Sequence, residues 1–288
     1  MPGVLYLIPN LLGNHAPEWS HAPETIKVIH SIRYFAVEKL HPAVHFLKRI
    51  GHPDPEFKLE FYPLDKRVTA EQLTDIVNIL QRGDDVGVVS EAGCPGIADP
   101  GADLVWMCHL RGISVKVLVG PSAILLSVMA AGLNGQSFAF NGYLPVKAEE
   151  RDLRIRELQN RSAREQQTQV FIEAPHRNEE LLNALKQHLN TETKLAVCWN
   201  LMAEDEWIFS RPVERWSSAT LPDDFIKKPA MFLFQASNMG SDSGREAGRV
   251  AAAGRGYRPV ARAAVVRPRA RRAVRPALRS RLAPAAAG

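Results

Sequence analysis

Short apolar runs alternate with amphipathic stretches through the first 120 residues. Residues 4–8, 32–37, 59–62, 86–89 and 114–119 read as strands. Between them, 25–30, 43–50, 69–81 and 102–111 read as helices. In 69–81 the apolar positions Leu73, Ile76, Val77 and Leu80 recur at helical spacing, and Thr69 with Gln72 forms a capping-box pattern. Gly51 and Gly112 close two of these helices. Strands separated by helices predict a parallel sheet joined by right-handed crossovers.

Beyond residue 120 the pattern changes. A helix at 122–131 is followed by strands at 138–140, 169–173, 194–200, 207–212 and 230–235, with helices at 149–161 and 178–188. More strands than helices predicts a mixed or antiparallel sheet. The expected fold class is therefore α/β, with a parallel-sheet domain over 1–119 and a mixed-sheet domain over 120–238. Residues 239–288 form a third region. From 244 onward, 35 of 45 residues are Arg, Ala, Gly or Pro, a composition that buries little apolar surface and is expected to be disordered. An RNA-binding arm and a non-native extension both fit it, and no functional reading depends on it.

Composition refines this picture in three places. Hydrophobic residues make up 45%, enough for a packed core, but no apolar run approaches the roughly 18 residues of a membrane span. The longest, 123–133, is expected to be a buried helix. The opening Met-Pro-Gly-Val-Leu-Tyr has no charged region before its apolar residues, so no secretory signal is expected. Cys94, Cys108 and Cys198 show neither disulfide nor metal spacing, which suits a reducing cytoplasm. The net charge of +5 is misleading, because 239–288 carries twelve arginines against Asp242 and Glu246. Residues 1–238 then carry −5 and offer no bulk-charge argument for RNA.

The candidate chemistry lies in two loops. After the apolar run 86–89 comes Ser90-Glu91-Ala92-Gly93-Cys94-Pro95-Gly96-Ile97-Ala98-Asp99-Pro100-Gly101. Open parallel sheets bind ligands just beyond the carboxyl ends of their strands. Gly93, Gly96 and Gly101 permit unusual backbone and close ligand approach, while Pro95 and Pro100 stiffen the loop. A small polar cofactor or a tight structural connection would each use such a loop. The second, Val119-Gly120-Pro121-Ser122-Ala123, offers Ser122 as a helix cap.

The two loops, in this order and spacing, resemble the tetrapyrrole methylase superfamily, in particular its 16S ribosomal RNA (cytidine 2′-O) methyltransferase branch. That branch typically shows Ser-Asp-Ala-Gly-Thr-Pro-Gly-Ile-Ser-Asp-Pro-Gly, so Glu91, Cys94 and Ala98 are the changes here. Its Gly-Pro-Ser-Ala turn corresponds to Gly120–Ala123. Its Gly-Phe-Leu-Pro-like segment corresponds to Gly142-Tyr143-Leu144-Pro145. Its Glu-Ser-Pro-His-Arg segment corresponds to Glu173-Ala174-Pro175-His176-Arg177. The resemblance spans about residues 4–238. It implies a two-domain α/β enzyme, usually a homodimer and without a metal, that binds S-adenosylmethionine folded in the cleft between domains. The cofactor residues it implies are Pro9, Gly93, Cys94, Pro95, Gly96, Ile97, Gly120, Pro121, Ser122 and Ala123. Those implied for substrate are Glu173, His176 and Arg177, and the implied partner is ribosomal RNA or the 30S subunit.

Three segments depart from the branch. Its Thr-Pro-Ile-Gly-Asn turn becomes Ile8-Pro9-Asn10-Leu11-Leu12-Gly13-Asn14, with two extra residues. Its Ala-Glu-Asp-Thr-Arg becomes Ala36-Val37-Glu38-Lys39-Leu40, and a His-Glu-His-Asn-like segment becomes Tyr62-Pro63-Leu64-Asp65-Lys66-Arg67. The cofactor loops are thus better kept than the loops on the substrate side.

Methyl transfer from a sulfonium is an in-line displacement in which the protein aligns the partners, and a ribose hydroxyl benefits from a general base. Glu38, Glu91 and Asp99 are the candidates, although each also fits a role as loop brace or helix cap. His176 and Arg177 suit a phosphate or the cofactor carboxylate, or else a surface turn. Cys94 lacks a His–carboxylate partner and is not read as a nucleophile, and His41 with His45 lacks a third metal ligand. Arg151, Arg154, Arg156, Arg161 and Arg164 form a basic stretch suited to phosphates or to a solvated helix face. Two other functions stay open: methylation of a porphyrin-like or other small molecule, and cofactor binding without catalysis.

Overall fold

Residues 86–89, with no polar side chain among them, lie at the centre of a five-stranded sheet in the computed structural model, which describes residues 1–237. Its strands and helices alternate: β1 (Val4–Ile8), α1 (Pro23–His30), β2 (Tyr34–Val37), α2 (Leu40–Arg49), β3 (Glu60–Pro63), α3 (Ala70–Gln81), β4 (Val86–Val89), α4 (Ala102–Leu110) and β5 (Ser114–Val117). The order is β3-β2-β4-β1-β5, and every pairing is parallel. Burial on both faces explains the continuous apolar runs. On one face Leu73, Ile76, Val77 and Leu80 of α3 pack with Leu104 and Cys108 of α4. On the other, Ile29 of α1 packs with Phe46 and Leu47 of α2.

The second sheet follows α5 (Ala123–Ala131) and contains β6 (Phe138–Phe140), β7 (Thr168–Glu173), β8 (Lys194–Trp199), β9 (Trp207–Pro212) and β10 (Ala230–Gln235), in the order β6-β7-β10-β8-β9. Only β6 and β7 run parallel, so the sheet is mixed. Helices α6 (Ala148–Glu165) and α7 (Asn178–His188) cover one face through Ile155, Leu158, Leu181 and Leu185, and α5 lies on the other.

Several expected boundaries shift for local reasons. Helix α2 starts at Leu40, because Pro42 falls in the first turn, where its missing N–H is not needed. Strand β2 starts two residues late: the Ile32 amide bonds the Ile29 carbonyl and still belongs to the end of α1. Helix α6 runs on to Glu165 because Ser162 and Ala163 continue its buried face. Thr69 and Gln72 make both bonds of the capping box. Helix α5 departs from the expected buried helix: only Ser127 and Ala131 are fully enclosed, and Met129 is 79% exposed. The Arg-rich region lies outside the described residues.

Candidate active site

The loop after β4 is held open by its own geometry. Gly93, Gly96, Gly101 and Ala98 all take positive φ. The buried Ser90 hydroxyl donates to the Gly93 carbonyl at 3.2 Å, and the Gly96 amide donates to the Pro100 carbonyl at 3.2 Å. At Gly96 (φ +78) an added Cβ would meet nothing within 4 Å, so the constraint there is conformational.

Gly120 is required for the opposite reason. An added Cβ would lie 2.5 and 2.8 Å from the Pro9 ring carbons. Pro9 thus sits directly against the 120–123 turn. The next residue, Asn10, exchanges two backbone hydrogen bonds with Gly93 (2.8 and 3.1 Å), and its side-chain amide donates to the Ser90 and Glu91 carbonyls at 3.0 Å each. Pro9–Asn10 therefore touches both loops at once. Sequence reading singled out Pro9 and missed Asn10, whose signal was a lone buried amide directly after a strand. The thiol of Cys94 reaches the Pro121 carbonyl at 3.5 Å, and Ser122 caps α5 through the Leu125 amide.

A cleft of about 410 Å³ opens between these loops and the second sheet. Its near wall includes Gly93, Cys94, Ile97, Ser122 and Ala123, and its far wall Phe140, Ile172, Leu201 and Met231. Of the remaining cofactor candidates, Pro9, Pro95 and Gly96 line a second hollow of about 420 Å³ behind the loop, beside Trp106 and Val117, while Gly120 and Pro121 support Pro9 and Cys94. Burial pushes the Cys94 thiol up, against a hydrogen bond with Ser122, which is the reverse of what a thiolate nucleophile needs.

Glu91 and Asp99 stand at the cleft. The half-buried Asp99 carboxyl is lifted to about 6, first by burial and then by Glu38; the Ser90 hydroxyl opposes this and Glu91 adds to it. Glu38 accepts a hydrogen bond from the Glu91 amide at 3.3 Å, and the Glu91 carboxylate pairs with Lys39 at 2.6 Å. The three carboxylates proposed from sequence thus form one neighbourhood. Tyr143, 55% exposed, stands within range of these charges: partial desolvation and the charges of Asp99, Glu173 and Glu38 raise its phenol, with Arg177 opposing. Sequence reading missed Tyr143. Its one signal was a tyrosine where the related segment has phenylalanine.

Glu173 is 4% exposed and accepts from both the Arg177 guanidinium and the Ala174 amide (2.7 Å), so it braces Arg177 from inside. The Arg177 Nε is buried without a partner among the described residues. His176, in the one-turn 3-10 helix Pro175–Arg177, is exposed. The five arginines of α6 are already engaged. Arg151 is buried and pairs with Glu180 at 2.6 Å, Arg154 pairs with Glu157, Arg161 and Arg164 share Glu165, and Arg156 meets His188. The exposed Arg154, Arg161 and Arg164 lie on a solvated helix face, one of the two readings the sequence offered. His41 and His45 are exposed on α2, and no group of three His, Cys, Asp or Glu that could hold a metal ion occurs among the described residues.

The chain has relatives among known proteins in sequence and in fold. The family model for tetrapyrrole (corrin/porphyrin) methylases matches residues 36–215. The ribosomal RNA small subunit methyltransferase I of Vibrio cholerae serotype O1 is 30% identical over 230 residues, 80% of this chain and 76% of its own. The Haemophilus influenzae protein of the same name is 27% identical over 246 residues, 85% and 83% of the two chains. Among solved structures, the methyltransferase CobJ aligns with a TM-score of 0.54 at 18% identity, covering 84% of this chain and 96% of its own. The cobalt precorrin-4 methyltransferase CbiF aligns at 0.52 and 16% identity, covering 81% and 94%. These two likenesses concern the fold. The family model covers more than half of the chain, including both cleft loops, and on that ground the chain belongs to the tetrapyrrole methylase family.

Proposed function

We propose that this protein transfers a methyl group from S-adenosylmethionine to a ribose 2′-hydroxyl of small-subunit ribosomal RNA. The observation that carries the reading is the cleft itself, where two glycine-bearing loops face an apolar wall across an acidic edge. Its volume lies within the range of about 300–1,000 Å³ usual for small-ligand clefts. The donor set fits S-adenosylmethionine: Phe140, Ile172 and Met231 suit an adenine ring, and Glu91 with Asp99 suits the positive sulfur and amine. When bound, S-adenosylmethionine supplies a methyl group on a positively charged sulfur, open to in-line displacement.

The chain's own residues then divide the work. Asp99, with its carboxyl at about 6, is ionised at neutral pH yet more basic than an ordinary aspartate, and takes the proton from the acceptor hydroxyl. Glu38 holds the glycine loop through the Glu91 amide. Arg177, braced by Glu173, and the exposed His176 receive a phosphate of the acceptor nucleotide. Residues 1–119 supply the glycine loop, and residues 120–237 supply Ser122, Ala123 and the apolar far wall. Trp106, Leu110, Val117, Val119, Leu125 and Met129 are exposed apolar side chains, of the kind a second copy of the chain would cover in the proposed homodimer. No described helix is long and apolar enough to cross a membrane, and the proposed site of action is the cytoplasm.

The test is methyl transfer from labelled S-adenosylmethionine onto purified 30S subunits, naked ribosomal RNA and small tetrapyrroles in parallel. Label on a ribose of the small-subunit RNA is expected. Label on a tetrapyrrole alone would move the acceptor to a small molecule and leave the methyltransferase assignment standing.

A further inference from the structure

The family match begins at residue 36, so the segment joining β1 to α1 lies outside it. That segment holds two buried histidines, His15 at 7% and His21 at 2% exposure. His21 Nε2 lies 2.8 Å from the Pro9 carbonyl, and His21 Nδ1 lies 2.9 Å from the Ser20 hydroxyl, which lies 2.9 Å from His15 Nε2. A carbonyl only accepts, so His21 Nε2 carries a proton. In the neutral ring Nδ1 must then accept from Ser20, and Ser20 in turn accepts from His15 Nε2–H. The chain has one direction, and it leaves His15 Nδ1 without a proton. That atom is buried without a partner among the described residues.

Burial holds both imidazoles below their ordinary value of 6.5. At His15 the Arg49 guanidinium and His21 add to the effect, and at His21 the backbone hydrogen bonds with Pro9 and Pro17 oppose it. The charged group facing the pair is Arg49 of α2, which donates to the Gly13 and His15 carbonyls and clamps the far end of the turn. The Phe46 ring, 5.5 Å from His21 between centroids, closes the remaining side.

The relay ends where the cleft is built. An added Cβ on Gly120 would meet His21 Nε2 at 3.3 Å as well as the Pro9 ring, and the residue after Pro9 is the one bonded to Gly93. We propose that His21 is a positioning residue for methyl transfer: it holds the Pro9 carbonyl beside Gly120, with Ser20 and His15 fixing its tautomer, and so sets the spacing of the two cofactor loops. The inference rests on the cofactor-binding reading of the cleft. It makes the two-residue-longer turn of this chain part of the methyl-donor site.

The test uses the full-length protein and S-adenosylhomocysteine as probe, with calorimetric affinity and near-ultraviolet dichroism read on the same samples. His21→Phe keeps a flat ring but removes the donor. It is expected to weaken binding about 10-fold, as loss of a buried carbonyl's partner does, with the dichroism unchanged. His21→Gln places an amide N–H near the position of Nε2 and is expected to return affinity to within about threefold of wild type. Ser20→Ala frees the tautomer and is expected to fall between the two. Wild-type affinity in folded His21→Phe, or failure of folded His21→Gln to rescue, overturns the proposal. If His21→Phe does not fold, wild-type affinity in Ser20→Ala overturns it. Wild-type protein that binds no S-adenosylhomocysteine overturns the cofactor reading, and the positioning role with it.

Discussion

Replacing Gly120 with alanine tests the closest contact in the site. The new methyl would lie 2.5 and 2.8 Å from the Pro9 ring carbons, so one side must move by roughly 1 Å to reach ordinary van der Waals distance. Pro9 has little room to retreat, because His21 holds its carbonyl and Asn10 is paired with Gly93. The cost is then expected near the upper end for overpacking, about 3 kcal/mol. For a domain of this size, that corresponds to a fall in Tm of roughly 6–12 °C. Affinity for S-adenosylhomocysteine should fall as well, because relief of the clash separates the two loops. Gly96→Ala is the control. It has open space but φ +78, so its cost is the left-handed backbone, about 1–2 kcal/mol. Thermal unfolding by circular dichroism, with calorimetric titration of each variant, separates the two mechanisms. A Gly120→Ala protein with wild-type Tm, or one milder than Gly96→Ala, would refute the argument that Pro9 is rigidly seated.

Asp99→Asn should abolish methyl transfer; retained turnover in a single-turnover assay would remove Asp99 as the base. In the wild type, activity should rise as pH passes through about 6, where the Asp99 carboxyl ionises, and then level off. The stability sign is opposite. The folded value lies above the ordinary 3.8, so the Asp99 contribution is full below 3.8 and is lost as pH rises through about 6. After allowance for its solvent exposure the effect is about 1 kcal/mol, so Asp99→Asn should melt slightly above wild type at pH 8. Glu173→Gln leaves Arg177 without its charge partner and should cost about 2–3 kcal/mol, read as a lower denaturation midpoint at unchanged slope. Truncation after residue 238 should preserve folding and cofactor affinity, because the Arg- and Ala-rich composition beyond it cannot build a core; an aggregated truncation product would contradict this.

Much of the architecture was legible locally. The run at 86–89 is apolar because β4 is buried on both faces, and the spacing of Leu73, Ile76, Val77 and Leu80 reports the single face that α3 buries. The capping box at Thr69 involves four consecutive residues, so it could be read before any fold was known. The glycine loop was legible as a stretch where positive φ is permitted, a freedom that Gly93, Gly96 and Gly101 use. Where the sequence left two readings open, a distant partner sometimes decided. Arg151 of α6 is buried against Glu180 of α7, 29 positions away, whereas Arg154, Arg161 and Arg164 pair with acids on α6 itself. Helix α5 is apolar nearly all round, yet the chain covers only part of it, and nothing in its own sequence distinguishes the face that meets the second sheet from the face that stays exposed.

The site divides along the same line. Residue types and short-range spacing pointed to Gly93 to Ile97 and Gly120 to Ala123 as candidate loops, because permitted glycine conformations and helix caps are local properties. The approach of Pro9 to Gly120, the pairing of Asn10 with Gly93, the His15–Ser20–His21 relay under Pro9 and the gathering of Tyr143 with Asp99 and Glu173 were decided by tertiary structure. The first two join groups 111 and 83 positions apart in the chain, and Tyr143 lies 44 and 30 positions from Asp99 and Glu173. Even the relay, local in sequence, acts only because the fold seats Pro9 on Gly120. Packing the two sheets against common loops sets those distances, and no local pattern of hydrophobic and polar residues encodes them.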